Sequence, residues 1–114
     1  MLRSLMLAGM VLLVASAPAS AQERLVFGEG AATSCGSWTQ GRQTRSFKAG
    51  LSAQWIAGYL SGLNMGAVGP DPLSGTDFDG LMAWIDNYCR SNPLDMVGTA
   101  AFRLMGELRS RVKR

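Results

Sequence analysis

Two cysteines, Cys35 and Cys89, stand 54 residues apart in a chain of 114 residues that contains no histidine. In an oxidising compartment a lone pair at this separation is bridged rather than free. Closing a loop of that length stabilises a fold by about 4 kcal/mol in the chain-entropy account, a large share of the stability of a small domain. The rival uses of the pair fit poorly. A redox site wants C-x-x-C spacing, and a zinc site wants more ligands than two cysteines without histidine supply. A Cys35–Cys89 disulfide is therefore expected, with no metal and no cofactor.

The compartment is read from residues 1–21. Arg3 supplies a positive start, Leu5 to Ala15 carry no charge, and Ala19-Ser20-Ala21 gives a small-x-small cleavage pattern before Gln22. The apolar run is shorter than the ~20 residues of a bilayer span, and no second hydrophobic segment follows. The expectation is a cleaved signal peptide at 1–21, a single domain at 22–114 and a periplasmic or secreted location of the Gram-negative type, with no stable membrane span after cleavage. The formal charge is +3 for the whole chain, and loss of Arg3 leaves it nearly balanced. Arg103, Arg109, Arg111, Lys113 and Arg114 gather at the end. Cations in the last turn of a helix complement its dipole, and no aromatics interleave with them as stacking platforms. No nucleic-acid partner is expected.

Residues 22–50 are rich in Gly, Ser and Thr, with one short apolar run, Leu25-Val26-Phe27. They read as an irregular arm anchored at Cys35 and Trp38. Helical periodicity then begins, and residues 51–114 read as a bundle of about three helices. Leu51, Trp55, Ile56, Tyr59, Leu60 and Leu63 make one stripe, ended by Gly66, Gly69 and Pro70. Thr76 is the expected cap of a second helix, with Asp77 and Asp79 in its first turn and Phe78, Leu81, Met82, Ile85, Tyr88 and Cys89 facing inward. Asn92, Pro93 and Asp95 read as the start of a third, whose stripe is Leu94, Val97, Ala101, Leu104, Met105, Leu108 and Val112. Short connections favour antiparallel neighbours, so the fold class is all-α, with the arm tied on by the disulfide.

Gly58, Gly62 and Gly66 fall four apart on one helix face. A glycine inside a helix costs about 1 kcal/mol against alanine, so close approach of another helix is the expected compensation, in preference to self-association. The chemistry is sparse. Without histidine the commonest general base is missing, along with every Ser-His-Asp and Cys-His arrangement. Asp77 with Asp79, and Asp86 with Glu107, are the available carboxylate pairs, and nothing in their placement sets their acidities apart. Gly75 to Asp86 places acids at the third, fifth and twelfth positions of a calcium-loop template, but glycine holds the first, and helix capping explains the acids without a metal. No enzymatic activity is expected.

In chain order come Ser34-Cys35-Gly36-Ser37-Trp38, then Trp55 with Gly58-Tyr59-Leu60-Ser61-Gly62, then Tyr88-Cys89 closing a helix and Asn92-Pro93 opening the last. This order resembles the small periplasmic HdeA/HdeB acid-stress chaperones, and it is similar to the helical Rap/Tai immunity proteins that neutralise type VI secretion effectors. The latter usually carry further cysteines, where this chain has two. Both resemblances cover most of residues 22–114 and imply a helical, single-disulfide protein that acts by binding other proteins. As a chaperone, the chain would become strongly cationic below about pH 4 as its carboxylates neutralise, and would loosen to expose apolar helix faces to clients. As an immunity-type inhibitor it would hold one toxin at neutral pH, with Trp38 and Trp84 as aromatic anchors, although a place in the core is the favoured account of both. A cavity between helices for a small apolar ligand is the third possibility.

Overall fold

The computed structural model describes residues 13–16 and 24–112; the signal-peptide reading of 1–21 lies almost entirely outside the described residues, as do Lys113 and Arg114. Its regular elements are α1 (Glu29–Ala32), α2 (Cys35–Thr44), α3 (Phe47–Met65), α4 (Phe78–Ser91) and α5 (Val97–Val112). Among the described residues the all-α class holds, and the count is five helices where about three are expected. The added helices lie in the segment expected to be irregular: residues 22–50 contain α1, α2 and the first turn of α3. No helix among the described residues is long and apolar enough to cross a membrane.

Serines start two of these helices. The Ser34 hydroxyl accepts from the Ser37 amide at 3.1 Å, and the Ser46 hydroxyl accepts from the Ala49 amide at 3.1 Å, each a cap of about 1 kcal/mol. Between them Arg45 turns the chain in the left-handed conformation, φ 54°, where the Ser46 amide reaches back to the Gly41 carbonyl at 2.9 Å. The turn brings the end of α2 against the start of α3 so closely that a side chain on Gly41 would begin 2.9 Å from the Ala49 Cβ. Gly41 serves contact here, where a reading by composition takes it for a breaker.

The later helix starts also move. Asp77, not Thr76, caps α4, accepting from the Gly80 amide at 2.7 Å, while the Thr76 hydroxyl donates to the Leu73 carbonyl. Asn92 and Pro93 do not open α5. The Asn92 amide closes α4 on the Tyr88 carbonyl, Pro93 to Asp95 form a turn, and α5 begins at Val97. Leu94, expected on the inward stripe, therefore sits in that turn at 94% exposure.

A main-chain clasp explains the arrangement. The Cys35 amide donates to Asp95 O at 2.7 Å, Gly36 to Pro93 O at 3.0 Å and Val97 to Thr33 O at 2.9 Å. The α1–α2 and α4–α5 connections thereby satisfy each other's backbone groups, as buried main chain must. The Cys35–Cys89 disulfide lies at the same junction, with both residues wholly buried. It joins α2 to α4, so the bridge staples two helices, where the sequence suggests a loose arm on a bundle. Both cysteines belong to one buried core with Trp38, Ile56, Leu60, Met82, Ile85, Val97, Leu104 and Met105.

Gly58 and Gly62 do not serve the packing expected of them. Both are exposed, a Cβ on either would meet nothing within 4 Å, and at Gly66 the nearest atom is a carbonyl of its own helix at 3.8 Å. With the helix cost present and no contact to offset it, Gly58→Ala and Gly62→Ala should each raise stability by about 0.5–1 kcal/mol in urea denaturation. A loss in either variant would show that a side chain there is obstructed.

Candidate functional site

Gly28, Gly30 and Gly98 do admit a close neighbour, and they frame the wall of an apolar concavity. The Trp55 indole of α3 lies on the backbone of Gly28 and Gly30, donating through Nε1 to the Phe27 carbonyl at 2.8 Å. A Cβ on Gly30 would sit 1.9 Å from Trp55 Cε3, so only glycine fits there. Gly28 adds a backbone requirement of its own, with φ at 109°. Gly98 of α5 closes the far edge, its position for a Cβ 3.6 Å from Trp55 Cη2. Tyr59, one turn along α3, stacks on Trp55 with centroids 4.9 Å apart.

Beside this aromatic wall opens a cleft of about 310 Å³ lined by Val26, Ala31, Tyr59, Met96, Gly98, Thr99 and Phe102. Its side chains are apolar apart from the hydroxyls of Tyr59 and Thr99. Phe102, 61% exposed, belongs to its lining, and Phe27, 79% exposed, follows the lining residue Val26 in the chain. Exposed aromatic surface around an apolar groove is the usual mark of a binding face. None of the lining residues is a candidate from the sequence, because they come from three segments that only the tertiary fold brings together. The one signal available there is the apolar run Leu25-Val26-Phe27 in an otherwise polar stretch.

The two tryptophans proposed as anchors are turned inward to different degrees. Trp38 is wholly buried in the core, so it offers no native surface to a partner; its Nε1 donates to Asp86 Oδ1 at 2.8 Å, and Arg42 lies over its ring at 5.3 Å. Trp84 is half-buried, donates to Glu107 Oε2 at 2.6 Å and stacks on Tyr88 with centroids 5.5 Å apart. Asp86 and Glu107 thus serve separate tryptophans. Each also binds an arginine: Arg42 Nη2 is 2.9 Å from Asp86 Oδ2, and Arg111 Nη2 is 2.6 Å from Glu107 Oε1. A third tie runs from the Tyr88 hydroxyl, which donates to Asp95.

These ties set the electrostatics. The hydrogen bond to Asp86 holds the Arg42 guanidinium above its already high value, against a smaller opposing effect of burial. Burial first, and then the bond to Asp95, raise the Tyr88 phenol, which keeps it protonated as the donor. Asp77 is committed to its cap and Asp79 sits in the first turn of α4. Among the described residues no three His, Cys, Asp or Glu side chains gather as a metal site.

No protein-family model, curated protein or solved structure matches the chain.

Proposed function

We propose that this is an exported, non-enzymatic protein that binds apolar segments of other proteins in the cleft between α1, α3 and α5, in the manner of an HdeA-like stress chaperone. The supporting observation is the cleft itself: an open, nearly uncharged groove with the exposed Phe102 in its lining. An open groove suits an extended chain, whereas a small apolar ligand is better held in an enclosed cavity that buries most of its surface. Export rests on the leader-like first 21 residues and accords with the disulfide.

The acid response also has a physical basis. Asp86, Asp95 and Glu107 each join α4 to a neighbouring segment through an aromatic donor. Acid that protonates carboxylates removes the charge from all three bonds, and charge-assisted hydrogen bonds are about twice as strong as neutral ones. In residues 22–114 the eight acids are then silent against ten bases, and self-repulsion favours a looser state. The immunity-type reading has less support: it relies on Trp38 and Trp84 as anchors, and Trp38 has no exposed surface.

The test follows light scattering from a globular client that unfolds and aggregates in acid. The protein should suppress scattering. Phe102→Asp should remove most of that protection with little change in melting temperature, because Phe102 is largely exposed. No suppression by the unaltered protein, or equal suppression by Phe102→Asp, would reject the proposal.

A further inference from the structure

A second cleft, of about 380 Å³, opens between the carboxyl-terminal half of α2 and the last turns of α4, lined by Thr39, Arg42, Gln43, Arg45, Asp86 and Arg90. Three arginines and one carboxylate give it a formal charge of +2. Arg42 is already matched, its Nε and Nη2 lying 3.0 and 2.9 Å from the two oxygens of Asp86. Arg45 and Arg90 are not: among the described residues, neither has a carboxylate oxygen within 4.0 Å. Asp86, held by Arg42 and by Trp38 Nε1, is fixed in place with both oxygens engaged.

Helix dipoles favour cations at helix ends, which accounts for Arg42 and Arg90 in the last turns of α2 and α4. They do not account for Arg45. It is the one residue other than glycine with positive φ among the described residues, and at such a helix end glycine or asparagine is the unstrained choice. The capping there is done by the Arg45 backbone amide, which any residue but proline supplies. What arginine alone contributes is its guanidinium, placed over a cleft that already holds an unmatched arginine.

We propose that this cleft binds a phosphate group as its dianion. Arg45 and Arg90 would grip the phosphate oxygens with the paired N–H geometry of guanidinium, while the Thr39 hydroxyl and Gln43 amide supply neutral donors. The charge of +2 matches a phosphate dianion better than a single carboxylate. The proposal is independent of the apolar groove.

Calorimetric titration with inorganic phosphate tests it, with acetate at equal ionic strength as control. One saturable site is expected for phosphate and none for acetate. Arg45→Asn and Arg90→Gln should each weaken phosphate binding about tenfold or more, and Arg45→Asn should melt no lower than the parent because asparagine tolerates the left-handed conformation. Absence of a saturable site, or affinity unchanged in both variants, would overturn the proposal. Phosphatidylcholine vesicles with and without phosphatidic acid separate two sources of the same chemistry. Arginine-dependent binding to the acidic vesicles, displaced by free phosphate, assigns a lipid headgroup; phosphate binding without vesicle binding assigns a soluble phosphate.

Discussion

Cys35→Ala/Cys89→Ala is expected to lose about 4 kcal/mol of stability, the chain-entropy value for a loop of this length. For a domain of this size that corresponds to a fall in melting temperature of about 20 °C. The structure also says where the loss appears. The bridge joins α2 to α4 beside the bonds from Cys35 to Asp95 and from Gly36 to Pro93. In the variant, amide exchange should therefore accelerate first in α2 and in the 93–97 turn, ahead of α3. A melting temperature unaffected by the substitution, or by reductant, would show that the clasp and the core hold α2 unaided.

Trp38→Ala is expected to cost about 3–5 kcal/mol, the range for deleting a large aromatic from a close-packed interior. Trp38 is fully buried and central to the contact of α2 with α4. Trp38→Phe separates packing from hydrogen bonding. It keeps a ring but removes the donor to Asp86, which retains Arg42, so a smaller loss of about 1–2 kcal/mol is expected. Urea denaturation of both variants checks the pair of values. If Trp38→Ala costs less than 1 kcal/mol, Trp38 is not part of the core.

The helices that a sequence pattern reveals are those buried along a continuous apolar stripe. In α4 the inward residues Met82, Ile85 and Cys89 recur at helical spacing, and in α5 Val97, Ala101, Leu104, Met105 and Leu108 do the same. The periodicity is visible because apolar and polar faces alternate. α2 has no such stripe. It buries only Cys35, Trp38 and Gly41, and it is kept helical by a serine cap, a disulfide and a main-chain clasp to residues 93–97. All but the cap are non-local, so the segment's glycines and serines read as an irregular arm.

Glycine spacing misleads in the opposite direction. Gly58 and Gly62 share a face in a regular series but touch nothing. Gly28, Gly30 and Gly41, which show no helical repeat, are the ones that let Trp55 and Ala49 approach the backbone. A glycine's role depends on the element opposite, which its own neighbours in sequence do not specify. The same holds for the cleft, whose walls come from residues near 26–31, 59 and 96–102. The identity of the disulfide partners, by contrast, is legible from counting alone, since two cysteines admit one internal pairing.

The central claim is that the cleft between α1, α3 and α5 is the binding face. NMR of the isotope-labelled protein during titration with a short uncharged apolar peptide tests it most directly. Saturable shifts should be confined to Val26, Ala31, Tyr59, Met96, Thr99 and Phe102, with the exposed glycine face of α3 unmoved. Shifts centred on Gly58 and Gly62, or none at saturating peptide, would contradict it.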